Sequence, residues 1–295
     1  MKNLVIKTAT ASLIFFLSFV SNSIAAETLP VFVSIQPQKY FVEKIAGDFA
    51  KVSVMVEPGA SPATYEPKPK QMVGLSKARI YFAIGVPFEK VWLKKIASAN
   101  PDMTIILTQD GIEKIPMKRH YHKKDHSKNQ EHHDGIRDPH LWLSPPLVTV
   151  LARNILSALT DADPGNRSVY EANCKKFITE IAELDAELRE IFSQKGKRFM
   201  VFHPAWGYFA KAYNLEQFPV EIEGKNPKPS ELRNLIKHAS EHGIKVIFVQ
   251  PQFSVTSAKV IAKAIDGRIA FADPLAPDWA DNLRRVAAKF KEALK

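Results

Sequence analysis

Cysteine is almost absent from this 295-residue chain: Cys174 stands alone, so no disulfide can form within the molecule and stability must come from packing. Long apolar runs are missing too. The stretch from Ala11 to Val20 is the nearest to one, and it falls short of the roughly 20 residues that span a bilayer. It follows Lys2 and Lys7 and precedes the small residues Ser23, Ala25 and Ala26. That order reads as a secretory signal peptide over residues 1–26 with cleavage near Ala25 or Ala26, which predicts export to the periplasm. No cysteine follows the apolar run, so the usual attachment point of a lipid anchor is lacking.

Other absences exclude whole classes of function. There is no His-Glu-x-x-His helix, no Gly-x-Ser-x-Gly elbow and no glycine-rich phosphate loop. The net charge of +10, which becomes +8 once Lys2 and Lys7 leave, comes without an aromatic-interleaved basic face, a helix-turn-helix cue or a zinc finger. That argues against a nucleic-acid partner. Much of the excess is local, because Lys118, Arg119, Lys123, Lys124, Lys128 and Arg137 outnumber Asp125, Glu131 and Asp134. A solvated loop accounts for it.

What is present is an alternation of short apolar runs with amphipathic stretches, the pattern of an α/β fold built on parallel sheets covered on both faces. In the first half, strands are expected at Val31 to Ile35, Val52 to Val56, Arg79 to Ile84 and Met103 to Leu107, with helices at Gln38 to Ala46, Pro69 to Lys77 and Phe88 to Ala99. After Lys197 the pattern returns, with strands at Arg198 to Phe202, Phe218 to Ile222, Lys245 to Val249 and Arg268 to Ala272. The helices between and after them are Trp206 to Tyr213, Ser230 to His242, Thr256 to Ile265 and Asp278 to Ala293. Two lobes follow, without a detectable sequence repeat: residues 27–143, including a His-rich loop at 118–137, and residues 197–295, joined by helices in 144–196. Within the join, Asp163-Pro164 signals a helix start. Tyr170, Cys174, Phe177, Ile181, Leu184, Leu188 and Ile191 then form one apolar stripe. A helix from Pro164 to Ser193 would be about 45 Å long and could stiffen the whole molecule, or pair as a coiled-coil dimer.

Histidine is the residue that points to chemistry. Five of the nine (His120, His122, His126, His132 and His133) crowd into the lysine-rich segment, and neutral imidazole is a common donor to zinc and its neighbours. Two more sit where open α/β sheets bind ligands, beyond the carboxyl ends of strands or before a helix. His203 follows the strand ending at Phe202, and His140 precedes a proline-started helix in Asp138-Pro139-His140-Leu141-Trp142-Leu143-Ser144-Pro145. Asp273 occupies the same kind of position in Ala272-Asp273-Pro274-Leu275. Two imidazoles and one carboxylate make most of a tetrahedral site for a divalent ion. Each also has a plainer reading, as an interior histidine or a helix cap.

Taken together and in order, the Asp138 to Pro145 motif, Phe202 to Phe209, Glu223-Gly224-Lys225 with Pro229, and Asp273-Pro274-Leu275 resemble the zinc/manganese-type solute-binding proteins of bacterial ABC transporters (cluster A-I, or cluster 9). The resemblance runs over essentially the whole exported chain. It implies two Rossmann-like lobes joined by one long rigid helix, and a single metal ion in the cleft held by His140, His203 and Asp273. It also implies delivery to an ABC permease in the inner membrane by a monomeric, non-enzymatic carrier. In one place the chain departs from the pattern. Where the family has histidine in its first-lobe motif, Ser61-Pro62-Ala63-Thr64-Tyr65-Glu66-Pro67 carries Ala63, and a methyl group cannot coordinate. Water, Glu66 or a loop histidine are the candidates for that position.

The expected function is capture of Zn2+, with Mn2+ as the alternative, because an imidazole-rich set suits the softer ion. The loop histidines would form a weaker site that passes metal to the cleft. Two alternatives remain: an exported zinc hydrolase using Glu221 or Glu223 as base beside a metal-bound water, and a chain in which the loss of a histidine at position 63 has altered or abolished metal binding.

Overall fold

The computed structural model describes residues 28–117, 136–193, 197–222 and 225–294. The expected signal peptide lies outside the described residues, as do His120, His122, His126, His132, His133 and Glu223.

Two parallel four-stranded sheets organise the described residues. In the first lobe they are β1 (Leu29–Val33), β2 (Ala50–Val54), β3 (Ile80–Ala83) and β4 (Thr104–Leu107), with α1 (Gln36–Ala46), α2 (Pro69–Leu75) and α3 (Pro87–Ala99) between them. α4 (Pro145–Ala162) and α5 (Arg167–Ile191) follow. The second lobe holds β5 (Lys197–Val201), α6 (Gly207–Ala212), β6 (Leu215–Pro219), α7 (Pro229–Glu241), β7 (Val246–Val249), α8 (Thr256–Ala264), β8 (Arg268–Phe271) and α9 (Trp279–Ala293). The strand orders are β2-β1-β3-β4 and β6-β5-β7-β8, so the two lobes share one topology that their sequences do not betray. In each, the order reverses between the first and third strands, and such a switch point opens a crevice at the carboxyl end of the sheet.

Local sequence explains where the elements begin. Proline stands in the first turn of α1, α2, α3, α4 and α7, where its missing N–H costs nothing. β3 and β7 are buried along their whole length, as expected of central strands with helices on both faces.

The long helix is shorter than its sequence suggests. Pro164–Asn166 is a 3-10 turn, and α5 begins only at Arg167, giving about 37 Å at 1.5 Å per residue. Asp163 is not a helix cap; its Oδ2 accepts from Asn166 Nδ2 at 2.8 Å and from the Tyr170 hydroxyl at 2.5 Å. The apolar stripe is buried from Tyr170 to Leu188 and is used within the chain, against α1, α4 and α9. It is therefore not a free dimer seam. β6 also differs from expectation, lying three residues earlier than Phe218 to Ile222. Asn214 turns the chain at φ 55° directly after α6, so the strand starts at once. Beyond Pro219 the backbone still follows the end of β5, with Val220 N donating to Val201 O at 2.8 Å and Glu221 N to Phe202 O at 3.0 Å, and so brings Glu221 to the cleft.

A continuous apolar core joins the lobes. Trp279 of α9 meets Phe41 of α1 edge to face, with ring centroids 5.1 Å apart, and Phe41 lies 5.9 Å from Phe177 of α5. Two indole hydrogen bonds then cross the junction: Trp279 Nε1 donates to Trp142 O and Trp142 Nε1 donates to Pro274 O, each at 2.6 Å. They pin the segment carrying His140 to the segment carrying Asp273. No helix of the described residues is long and apolar enough to cross a membrane.

Candidate metal centre

A cavity of about 260 Å³ lies where the two crevices face each other. Its walls include Ala63, Gly85 and Lys90 from the first lobe, His140 and Trp142 from the junction, and His203, Glu221, Gln252 and Phe253 from the second.

His203 comes directly off the end of β5. Its backbone is clamped at the switch point by Gln250, just beyond β7: His203 N donates to Gln250 Oε1 at 3.1 Å and Gln250 Nε2 donates to His203 O at 2.6 Å. The imidazole stacks on Phe253 with centroids 4.9 Å apart, and its Nδ1 lies 2.8 Å from Glu221 Oε1. His140 is built in the same way from a different element. Asp138, only 1% exposed, accepts through Oδ1 from His140 N at 2.9 Å and pairs with His140 Nδ1 at 2.7 Å. Gly207 makes room for this carboxylate, since a Cβ there would meet Asp138 Oδ2 at 2.6 Å.

The two rings stand 5.3 Å apart at 70°. A carboxylate on each Nδ1 selects the tautomer with the proton on that nitrogen, leaving both Nε2 lone pairs free. Burial holds the His140 imidazole below its ordinary pKa, against the opposing pull of Asp138. It is a neutral donor at neutral pH.

The other expected site residues lie differently. Asp273 does not share the cavity of the two histidines; it lines an adjoining one of about 100 Å³. Its Oδ1 accepts from Gln252 Nε2 and from Leu275 N, both at 2.9 Å. Gln252 and Leu275 line both cavities, so they form the partition between them. Among the described residues no three His, Cys, Asp or Glu side chains are grouped closely enough to hold one ion.

Ala63 does line the larger cavity. Its loop is fixed by Tyr65, buried at 8% exposure, whose ring packs on Phe88 and whose hydroxyl donates to Gln71 Oε1 at 2.8 Å. Glu66 is exposed and is not part of the wall. The described residues on either side of the histidine-rich run stand at the cavity rim. Met117 N donates to Ile136 O at 2.9 Å, and Met117, Ile136 and Arg137 all contribute to the wall.

Three supporting residues were not recognised in these roles from sequence. In the sequence Asp138 is one residue of the motif around His140, Glu221 is a general-base candidate, and Gln252 carries no signal. The only local signal was the two-residue spacing of Asp138 and His140. Glu221 is 18 residues from His203, and Gln252 is 21 residues from Asp273; each pair is joined by the sheet alone.

Comparison with known proteins bears on this geometry. A family model described as zinc-uptake complex component A, periplasmic, matches residues 31–293. A crystal structure of ZnuA superposes with a TM-score of 0.84 at 41% identity, covering 91% of this chain and all of that one. The high-affinity zinc uptake system protein ZnuA of Bacillus subtilis (strain 168) is 28% identical over 250 residues, 82% of this chain and 77% of that protein. The iron-binding protein YfeA of Yersinia pestis is 28% identical over 287 residues, 90% of this chain and 87% of its own length.

Proposed function

Because the chain belongs to the family of zinc-uptake complex component A, periplasmic, we propose that it captures one divalent transition-metal ion between its lobes, with His140 and His203 as the imidazole donors and Asp273 as the carboxylate. The family is one of solute-binding proteins that serve ABC transporters, with Zn2+ as cargo and Mn2+ as the alternative, and is not a family of enzymes. The finer reading is that this chain is exported to the periplasm after cleavage near Ala25 or Ala26, acts as a monomer, and hands its ion to a permease in the inner membrane.

The observation that carries the site assignment is the pair of imidazoles 5.3 Å apart, each with a buried carboxylate on Nδ1 and its Nε2 unspent. A histidine that serves only the core has no need of a tautomer that aims a bare lone pair into a cavity. Asp273 is two residues from Leu275 and one from Pro274, both on the cavity wall. A side-chain rotation that releases Gln252 would bring its carboxylate toward the ion. Zinc is favoured because the imidazoles outnumber the carboxylate. The hydrolase alternative finds no support among the relatives, which are metal-binding and uptake proteins. Glu66, exposed and off the wall, is the weakest of the ligand candidates.

The test is a competition titration of zinc, then manganese, against a chromophoric chelator with the parent chain, His140→Ala, His203→Ala and Asp273→Asn. Each imidazole deletion should weaken zinc binding at least about a hundredfold, because a site with few protein ligands cannot absorb the loss of one. If both histidine variants bind as the parent does, the two rings are core residues and the proposal fails.

A further inference from the structure

The cavity between the lobes is larger and more apolar than capture of a lone ion requires. An ion with one water would take only a small part of its volume of about 260 Å³, since a water's share of liquid volume is about 30 Å³. Sites for small organic ligands begin at about 300 Å³ and are lined mainly by apolar side chains, with a few placed polar groups. Pro62, Val86, Met117, Trp142, Phe253 and Leu275 give this cavity that character. Ala63 adds to it, because a larger side chain at that point of the wall would take up part of the space.

The polar groups within reach of a ligand are few and of two kinds. His140 and His203 line the cavity, and with Asp138 and Glu221 on Nδ1 each presents an Nε2 lone pair to it. Neither of these Nε2 atoms is shut off from solvent, whereas Glu221 Oε2 and Gln252 Oε1 are, so those two oxygens take no part in binding. The second kind is the exposed cations, Lys90 and Arg137. Glu221 is the only carboxylate of this wall among the described residues; with one oxygen on His203 and the other closed off, it does not neutralise them for a ligand. The cavity therefore offers buried donors for a metal, exposed positive charge for an anionic group, and apolar surface for whatever joins the two.

Resting on the reading of His140, His203 and Asp273 as ligands, we propose that the cargo of this cleft is a metal chelate, zinc carried by a small organic carboxylate that binds it through one nitrogen and one oxygen. Zinc takes four ligands and expands to five. Three protein donors leave one or two positions, and a bidentate chelator fills them where Ala63 supplies nothing. The apolar body of the chelator lies against the wall that Ala63 leaves open. Its carboxylate oxygen not bound to the metal faces Lys90 and Arg137, in the charge-assisted contact that such groups favour. Poorly ordered water against the apolar side chains is displaced, which adds to affinity.

Equilibrium dialysis of the purified chain with zinc and labelled picolinate (pyridine-2-carboxylate) or L-histidine, both of which chelate through nitrogen and oxygen, tests this. Nicotinate, the pyridine-3-carboxylate isomer, carries the same groups where they cannot close a chelate ring and serves as the control. About one picolinate or histidine per chain should be retained with zinc, at least about tenfold less without it, and nicotinate in neither case. Ala63→His supplies a donor and takes up the space, so it should lower retention per bound zinc at least about tenfold. Lys90→Glu reverses a charge facing the carboxylate and should lower it about threefold or more. If the parent chain binds zinc tightly and retains neither chelator, the cargo is the ion itself and the proposal is overturned. Chelator retention that persists in His203→Ala after the tight zinc is lost would place the chelate elsewhere on the chain, and would overturn it too. His203→Ala that bound zinc like the parent would instead overturn the underlying site assignment, an outcome distinct from these.

Discussion

Removing the carboxylate behind His140 offers a direct measure of how far the proposed metal centre depends on residues that would not touch the ion. Asp138 is 1% exposed, and one of its oxygens serves both the backbone N–H of His140 at 2.9 Å and the ring Nδ1 at 2.7 Å. Asp138→Asn retains an oxygen acceptor for both contacts but makes them neutral, and charge-assisted hydrogen bonds are roughly twice as strong as neutral ones. The ring stays oriented but becomes a poorer donor, so zinc affinity should fall about tenfold, equivalent to about 1.4 kcal/mol. Asp138→Ala removes both contacts. It frees the imidazole to adopt the other tautomer and leaves the buried His140 N–H without a partner, which alone costs about 1–3 kcal/mol of stability. The expected loss of affinity is then nearer a hundredfold, the upper end for outer-sphere residues. Competition against a chromophoric chelator reads the affinity, and urea unfolding of the metal-free chain reads the stability. A folded Asp138→Ala chain that bound zinc within twofold of the parent would refute the reasoning, reducing Asp138 to a loop staple and leaving the tautomer of His140 irrelevant to its function.

Burial holds His140 below its ordinary pKa of 6.5, so between the two values the unfolded chain binds more protons than the folded one. Stability of the metal-free protein should therefore be complete above about pH 6.5 and decline as pH falls through that window; urea midpoints that decline as steeply in His140→Gln would contradict this. Deleting residues 118–135 is predicted to remove weak, multiple zinc binding while leaving one tight site. Because Met117 and Ile136 are already joined by a 2.9 Å backbone hydrogen bond, a short linker suffices to close the gap; calorimetry showing no tight site would move the principal site into the loop. Trp279→Ala deletes the ring packed on Phe41 and the donor to Trp142 O. The expected destabilisation is about 3–5 kcal/mol, whereas Trp279→Phe should lose mainly the hydrogen bond, about 1–3 kcal/mol; a thermal melt ranking the two the other way would show that the ring is not part of the junction's core.

Much of this molecule is legible in its sequence. Periodicity is a local property, so the alternation of apolar runs with amphipathic stretches announced eight strands and the helices between them, mostly to within a residue or two. The stripe from Tyr170 to Leu188 likewise required only a 3.6-residue repeat to declare one buried face. Proline stands in the first turn of five helices, where its missing N–H is tolerated, although the sequence reading starts α1, α3 and α7 one residue past it. The errors have equally local causes. Asp163-Pro164 looks like a helix start, but the aspartate side chain is held by Tyr170 and Asn166, so a 3-10 turn comes first. Phe218 to Ile222 looks like a strand, although Asn214 has already turned the chain and β6 ends at Pro219. The positions of His140, His203 and Asp273 stood out because they interrupt strand-to-helix or loop-to-helix junctions with residues that bind metal.

Tertiary structure alone decided how those residues relate. Sequence spacing cannot show that Asp138 and Glu221 fix the two imidazole tautomers in the same sense. Nor can it show that Asp273 faces a neighbouring cavity behind Gln252, or that Glu66, close to Ala63 in the chain, is off the wall that Ala63 lines. The identical strand order of the two lobes was also hidden, since topology constrains the path of the backbone and places few demands on which apolar residues line it. Helices and strands follow from interactions within a few residues of one another. The proposed metal centre depends on hydrogen bonds and burial among groups 18 to more than 60 residues apart, and only the folded chain brings them within reach.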